Sequence, residues 1–576
     1  MTQAAHNAPA ESRDWPLRPW LLAALLGTAG LLIYIVGGGQ GPDTRIGWQA
    51  AVTALLFFGP LAFAFTLERG RWAAPLAFAL LVGVVMAGLA WRAVGQSENL
   101  AVPQYGFLAG LAATAIALPL FQAGFHRSRW ATPYRTIHGH VWSDAICAAG
   151  SLAFVGASWL MLVLLSELFH LLKIDILKNL IEDGWFGWTW SGAAYGAALG
   201  VLRNELGIIG TLRRVVMTVL SLLAVPLAAG LALFLIAMIL SGPEVLWQAT
   251  RSATPVLLTC AGGAWVLANA ILHDEDGAMS ASRVLRLAGV VLVLSVLPLT
   301  VFAAVSMGTR VAQHGLSPER LWGLVAIAVA VAYGLAWLVA VVRGWKAGEW
   351  RERVRRANLH LAVVICGVAL FLALPILDFG AISARQQIAR LERGTVSPDK
   401  FDYSALRWDF GSAGRRALTR LAKSERLIVA KLATAALSER SMDRYGPPRV
   451  DRERIVVETA NPSMRERVLR NLTSDSFRCA KGCYVIDLGP APGGQRFAVV
   501  GGTVANTMIL REDGQYVPDY DRERRTQRTL YQPGDKVEIR EVVRRMITVN
   551  GEPVGDPIEE NLNANDAALE APPPPR

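Results

Sequence analysis

The sequence predicts a mainly α fold: a polytopic helical membrane bundle of about 11 spans, then an extramembrane helical stalk and a small β-rich module. Two observations predict it. The chain of 576 residues is 53% hydrophobic with a mean hydropathy of +0.35, which is too apolar for a water-soluble protein. The apolar residues cluster into stretches within the first two-thirds of the chain, and a polar tail follows them.

Each apolar stretch approaches the roughly 20 residues that a helix needs to cross a hydrocarbon core of about 30 Å. Tryptophans lie near many of the stretch ends, as expected for rings at the headgroup level. The candidate spans are Trp20–Val36, Gly47–Thr66, Ala73–Ala90, Tyr105–Phe121, Ala145–Leu165, Phe186–Val201, Val215–Leu240, Thr254–Leu272, Val284–Met307, Leu321–Val342 and Leu361–Ile376.

The sixth span, Phe186–Val201, is short and rich in glycine. Gly192, Gly196 and Gly200 recur at a strict four-residue spacing. In lipid, small residues at this spacing let two helix backbones approach closely. The pattern therefore predicts a packing role for the three glycines; the alternative is a hinge for transport.

The distribution of lysine and arginine predicts the orientation, because cytoplasmic loops carry an excess of positive charge. With a cytoplasmic N-terminus, the inside segments hold 18 lysines and arginines and the outside loops hold 7. An odd number of spans then places the tail in the periplasm of a Gram-negative cell. The sequence thus predicts a multi-pass protein of the bacterial inner membrane, with the lipid bilayer as its first partner.

We expect five segments along the chain. The tail begins with helical patterns such as ISARQQIARLERG and changes to short strands after Pro447, which indicates a β-rich module. The segments are a cytoplasmic N-terminal segment at 1–19, the transmembrane domain at 20–377, the helical stalk at 378–446, the extracytoplasmic β-rich module at 447–562 and a disordered tail at 563–576.

Two cysteines in the tail can form a disulfide. Cys479 and Cys483 stand in the sequence RCAKGC, and an oxidising compartment would permit their bond. Two unpaired thiols are the alternative. A metal site is not expected, because there is no second cysteine pair and no histidine after His360.

Ionisable residues inside a membrane are candidates for function, and this chain has few. Glu167 and His170, spaced i and i+3 near the outer end of the fifth span, are the catalytic candidates, since a carboxylate there could orient an imidazole or share a proton. A lone Glu-x-x-His is not a di-metal site, which needs such motifs from several helices. His138, His140 and Asp144 lie on the inner side, just before the same span.

Several functional classes are excluded. The chain has no Walker A, HExxH or GxSxG motif, so no cofactor is predicted. The histidine-free tail cannot hold a Ser-His-Asp hydrolase by itself. The net charge of +11 comes largely from arginines in short loops rather than from a basic run interleaved with aromatics, so no nucleic-acid partner is expected.

Three segments carry a resemblance to a known family: LLSELFHLLKI through WFGWTWSGAAYGAALGVLRN, the later SVLPLTVFAAV, and ISARQQIARLERGTVSPDKFDYSALRWDFG. They are similar to an uncharacterised family of bacterial polytopic membrane proteins, domain of unknown function 4153. The resemblance covers most of the membrane region and the stalk. It implies an inner-membrane location and supplies neither an activity nor a catalytic residue.

Three functional hypotheses follow from these observations. The favoured one is an envelope-associated membrane protein without catalysis, either a scaffold or sensor whose outer module binds an envelope protein or lipid, or a handler of small molecules or lipids. The second is a membrane-embedded transferase acting on a lipid-linked envelope precursor. The third is a secondary transporter. The scarcity of buried charged residues that could bind a coupling ion argues against it.

Overall fold

The computed structural model is mainly α-helical with a small β part, a five-stranded sheet and a two-stranded pair, as the sequence predicts. It divides into two compact units, Met1–Glu439 and Arg440–Arg576. The structure describes residues 15–38, 46–242, 253–273, 282–346, 348–438, 455–474, 483–491, 494–501, 504–511, 516–518, 548–549 and 552–553. The predicted disordered tail at 563–576 and the residue Cys479 lie outside the described residues.

The described part of the first unit is built from helices and the turns between them. Its helices are α1 Arg18–Val36, α2 Gly47–Thr66, α3 Ala73–Gly95, α4 Pro103–Gln122, α5 Phe125–Ser128, α6 Tyr134–Leu171, α7 Ile176–Glu182, α8 Gly184–Asn204, α9 Leu206–Ser241, α10 Ala253–Leu272, α11 Arg283–His314, α12 Pro318–Gly344, α13 Trp350–Ala373, α14 Phe379–Glu392, α15 Tyr403–Trp408, α16 Gly411–Leu421 and α17 Leu427–Ser438.

Ten helices of the described part are long and apolar enough to cross a membrane. They are α1–α4, α6 and α9–α13, so the protein is a multi-pass membrane protein. The predicted sixth span lies within α8, which is not among the ten. Its 21 residues still make a helix of about 31 Å, which matches the hydrocarbon core.

Helix α8 lies antiparallel against α1 along the whole of α1. A Cβ atom at any of its three spaced glycines would clash with the α1 backbone, so the two helices touch main chain to main chain. Helix α8 therefore lies beside a candidate membrane helix over this length, although it is not itself one of the ten. The contacts pair Gly192 with Leu26, Gly196 with Leu22, and Gly200 with Pro19.

Successive membrane helices run in alternating directions, so the bundle has two ends. We call the end where α1 begins the first side and the end where α1 stops the second side. Neighbours pack in the order α8, α1, α2, α3, α4, α13, α12 and α11, and α11 also contacts α9 and α10. The largest hydrophobic core lies among α9–α13 and includes Leu292, Trp337 and Val354.

Helices α14–α17, which fall in the segment predicted as a stalk, pack on the second side of the bundle. We call them the helical cap. The cap has its own core around Leu406, Phe410 and Leu418. Its Gln387 side chain donates to the carbonyl of Leu316 at 2.8 Å, and Arg390 donates to the carbonyl of Gln313 at 2.8 Å.

A second seam joins the cap to the turn between α3 and α4. The Ser412 amide donates to the carbonyl of Asn99 at 2.9 Å, and the Arg415 guanidinium donates to the Asn99 side chain at 2.7 Å. Gly411 has φ +60 and no room for a Cβ atom against this turn. The cap is therefore fixed to two separate parts of the bundle.

The second unit contains a five-stranded sheet in the order β1-β2-β3-β4-β5. Strand β1 pairs in parallel with β2 through α18 Pro462–Ser474, and the remaining neighbours are antiparallel. Val468 and Leu472 of α18 share a core with Val485 and Phe497 of the sheet. The strands are β1 Ile455–Glu458, β2 Cys483–Ala491, β3 Gly494–Gly501, β4 Val504–Leu510, β5 Tyr516–Pro518 and a separate pair, β6 Thr548–Val549 and β7 Glu552–Pro553.

Replacing Gly196 by leucine is expected to separate α8 from α1, because the new side chain would enter space filled by the Leu22 carbonyl. Overpacking of a filled contact costs about 3 kcal/mol at the upper end of its usual range, so the Tm of the detergent-purified protein should fall. Gly230→Leu in α9 is the matched control, because nothing lies within 4 Å of a Cβ atom there. Equal melting temperatures for the two variants would contradict the close contact.

Candidate functional site

The catalytic candidates of the sequence lie at the second-side end of α6, and both are exposed. His170 is joined to Asp175, with 2.5 Å between Nδ1 of the ring and Oδ1 of the carboxylate. Glu167 shares no hydrogen bond with His170 within the described residues. An exposed pair of this kind has weak electrostatic coupling, since water screens it, and the role of Glu167 and His170 stays a prediction.

The cysteines of the two units differ. Cys147, Cys260 and Cys366 in the membrane helices are free thiols. Cys483 at the start of β2 is disulfide-bonded, and its predicted partner Cys479 is outside the described residues, so the pairing stays a prediction. In the part of the chain that the structure describes, no three His, Cys, Asp or Glu side chains come together as a metal site.

A cluster of ionisable and amide side chains lies at the first side, where α1, α2, α4, α6 and α8 meet. We call it the polar centre. Five helices contribute to it, either through side chains or through the carbonyls that those side chains bind. Its members are Arg18 of α1, Gln122 of α4, Asp144 of α6 and Arg203 with Asn204 of α8.

The donors of the polar centre bind the end of α2. Arg203 Nη1 donates to the carbonyl of Ala64 at 2.5 Å, and Gln122 Nε2 donates to the carbonyl of Phe65 at 2.8 Å. Arg18 donates to the carbonyl of Leu67 at 3.4 Å. The last carbonyls of a helix have no partner within the helix. Cations at that end also interact favourably with the negative end of the helix dipole. The centre therefore caps α2 and fastens it to three other helices.

The end of α8 is capped in the same way. Arg18 Nη1 donates to the carbonyl of Arg203 at 3.0 Å and lies 3.3 Å from Oδ1 of Asn204. The Asn204 amide donates to the carbonyl of Trp15 at 2.9 Å. These bonds hold the start of α1 against the end of α8, at the same end of the helix pair as the Gly200 contact.

Asp144 differs from the other members of the polar centre, because it is the acidic one and its ionised carboxylate can only accept hydrogen bonds. The carboxylate is within electrostatic reach of Arg203 and hydrogen-bonding reach of Gln122. Its Oδ2 atom is buried and has no hydrogen-bond partner among the described residues. The Oε1 atom of Gln122 is also buried and also lacks a partner there. A buried carboxylate oxygen without a donor costs several kcal/mol. The site can therefore take up a proton, a water molecule, a cation or an N–H group of a ligand.

A second buried network lies among α6, α10, α12 and α13. Trp337 Nε1 donates to Oδ1 of Asn358 at 2.8 Å, and Nδ2 of Asn358 donates to Oδ1 of Asn269 at 2.8 Å. The Tyr134 hydroxyl lies 3.4 Å from the same Asn269 oxygen. Arg355 donates to the carbonyl of Leu272 at 2.7 Å and caps α10. Because its polar groups bind one another, this network fixes helix positions.

Sequence reasoning gave Gln122 and Asn204 no role and did not group the other members of the polar centre. Arg18 and Arg203 were counted as loop charges that set the orientation, and Asp144 was named only beside two loop histidines. One signal could have found Asp144: it shares a helix face with Cys147 and Ser151, which are both buried, at spacings of three and seven residues.

One comparison with known proteins gives a match. The sequence model of a family described as domain of unknown function (DUF4153) matches residues 50–421. No curated protein and no solved structure shows significant similarity to the chain. The matched range begins in α2 and ends with α16, so it includes Gln122, Asp144 and Arg203 together with most of the helical cap, whereas Arg18 and the sheet of the second unit lie outside it.

Replacing Arg203 by methionine is expected to destabilise the protein by about 3–5 kcal/mol, because it leaves a buried carboxylate without its counter-charge. Adding Asp144→Asn should recover part of that loss, since the uncompensated charge is then removed. Thermal unfolding of the purified variants measures both effects. Arg214→Met, at an exposed position of α9, is the control, and strictly additive effects of the two centre substitutions would refute their coupling.

Proposed function

Since the chain belongs to the DUF4153 family of uncharacterised function, we propose that it is a scaffold or sensor of the bacterial cell envelope, embedded in the inner membrane. In this proposal the bundle and the cap form a rigid base, and the second unit is a periplasmic module that binds an envelope protein or lipid. The observation that carries the proposal is the double attachment of the cap to the bundle.

The cap supports this role through what it binds. Gln387 and Arg390 hold backbone carbonyls at the end of α11, and Ser412 and Arg415 hold the turn after α3. A transporter that rocks two halves would have to break or carry such contacts at each cycle. Main-chain bonds on two parts of a bundle instead favour a fixed support for a module that follows in the chain.

The proposed orientation of the protein in the membrane rests on the distribution of basic residues and on an odd number of membrane helices. Basic residues concentrate on the first side, and the positive-inside rule assigns that side to the cytoplasm. With α8 as a further crossing, eleven membrane helices then carry the chain out, so α14 begins on the periplasmic face. A disulfide at Cys483 suits that oxidising compartment.

A second candidate function is the handling of a small molecule or ion inside the bundle. The observation that favours it is the buried Oδ2 atom of Asp144, which has no partner among the described residues. A carboxylate in this state suits a proton, a cation or an amine ligand. Catalysis at Glu167 and His170, the proposal of a membrane transferase, has less support because both side chains are exposed.

Fusions at the C-terminus test the orientation. Alkaline phosphatase should be active there and green fluorescent protein should be dark, because phosphatase folds in the periplasm and fluorescent protein in the cytoplasm. Matched fusions after Leu171 and after Asn204 bracket α8 and provide the internal control, with phosphatase activity expected only at the first. A fluorescent C-terminal fusion would mean that α8 does not cross the membrane. It would place the second unit in the cytoplasm and contradict the proposed periplasmic module.

Complementation of a deletion strain, scored by survival under envelope stress, separates the functions. We expect loss of function when residues 440–576 are removed and retention with Glu167→Gln together with His170→Gln. Western blotting of membrane fractions controls for expression. Loss with the glutamine pair at normal expression would favour a transferase, and loss with Asp144→Asn alone would favour handling of a small molecule over the scaffold.

A further inference from the structure

The connection between α4 and α6 presents two arginines and a tryptophan at the first side of the membrane. We call residues Phe125–Thr132 the basic turn. The turn follows directly on one membrane helix and precedes another, so it lies at the membrane boundary. Arg127, Arg129 and Trp130 are all exposed.

The basic turn is held in one shape by its own hydrogen bonds. The hydroxyls of Ser128 and Thr132 are 2.6 Å apart, Thr132 donates to the carbonyl of Arg129 at 2.7 Å, and Ser128 donates to the carbonyl of Gly124 at 3.1 Å. Arg129 has φ +48, a positive value that L-residues with a Cβ atom rarely adopt. The arginines are thus presented from a rigid and strained backbone, as functional loops often are.

Trp130 indicates how deep the basic turn lies in the membrane. The indole is 55% exposed and rests edge-on against Phe125, with ring centroids 5.6 Å apart, and against His360 of α13 at 5.2 Å. An exposed tryptophan beside membrane helices favours the headgroup level, where the ring meets acyl chains and its polar edge stays wet. The two arginines beside it therefore stand at the level of lipid phosphates.

The guanidinium groups of Arg127 and Arg129 have no acidic partner and no hydrogen bond among the described residues. The exposed arginines of nearby α13 differ: Arg353 pairs with Glu349 at 3.1 Å, and Arg356 pairs with Glu352 at 3.3 Å. A guanidinium offers a planar fork of donors that matches phosphate geometry. The basic turn thus offers donors to an anion that comes from outside the chain.

We propose that the basic turn is a binding site for the headgroup of an anionic phospholipid. Arg127 and Arg129 bind the phosphate, and Trp130 packs on the glycerol and the first methylenes of the acyl chains. Basic sites beside membrane helices on the cytoplasmic face are suited to such headgroups. The inference is independent of the scaffold proposal, because it needs only the membrane boundary and the first-side charges.

Native mass spectrometry of the full-length protein in detergent, titrated with phosphatidylglycerol or phosphatidylcholine, tests the site. Each arginine near an anionic lipid surface contributes about fivefold in affinity. Arg127→Gln with Arg129→Gln should therefore weaken binding of the first phosphatidylglycerol by about 25-fold and leave phosphatidylcholine unchanged. Arg127→Lys with Arg129→Lys should lose less binding than the glutamine pair, since the charge remains while the planar fork of donors is lost.

Arg214→Gln with Arg283→Gln is the matched control, because it removes the same charge from two other exposed first-side positions. It should change phosphatidylglycerol binding by less than about threefold, since those arginines stand on helices α9 and α11 and not in the basic turn. Equal losses in the two double variants would reduce the effect to general surface charge and overturn the site. Unchanged binding in the turn variant would also overturn it.

Inorganic phosphate separates the lipid from a soluble anion. A lipid site should keep phosphatidylglycerol in the presence of millimolar phosphate, because the acyl chains contribute to binding. Full displacement of the lipid by phosphate would assign the turn to a free anion and overturn the proposal. Melting temperatures of all variants, expected to match wild type because the altered side chains are exposed, control for folding.

Discussion

The backbone carbonyls at the ends of the membrane helices are the constraint on which this structure depends. Such carbonyls have no partner within their own helix, and the hydrocarbon offers none. The protein supplies donors from other helices: the side chain of Arg203 binds the end of α2, Arg355 binds the end of α10, and Arg390 binds the end of α11. Each bond both satisfies a helix end and fixes the position of its neighbour.

The contact of α1 with α8 follows a different rule. Here glycines let the two helix backbones touch. Without a hydrophobic driving force between helices in lipid, close van der Waals contact and polar bonds at the ends stabilise the pair. Arg18 and Asn204 provide those end bonds. This pairing holds the glycine-rich helix against a membrane helix along its length.

We expect ligands at two places, one with a buried acceptor and the other with exposed donors. Asp144 brings an acceptor whose Oδ2 atom has no donor in the described part of the chain. Arg127 and Arg129 bring exposed guanidinium donors that no acceptor of the described residues binds. Arg18 and Arg203 already bind backbone carbonyls, so their role is to hold helices together. Whether a guanidinium binds backbone thus distinguishes the structural arginines from those that we expect to bind a ligand.

Local pattern determined which segments are membrane helices, because length and hydropathy are properties of consecutive residues, and it indicated Gly192, Gly196 and Gly200 as a close-packing face. It could not identify their partner, since Leu22 and Leu26 lie more than 150 residues away in the chain. Tertiary structure alone decided that Arg203 caps α2, that His170 pairs with Asp175, and that the segment after the last span packs on the bundle. Each of these depends on which helices become neighbours, and hydropathy, which measures only the preference for lipid, does not encode that choice.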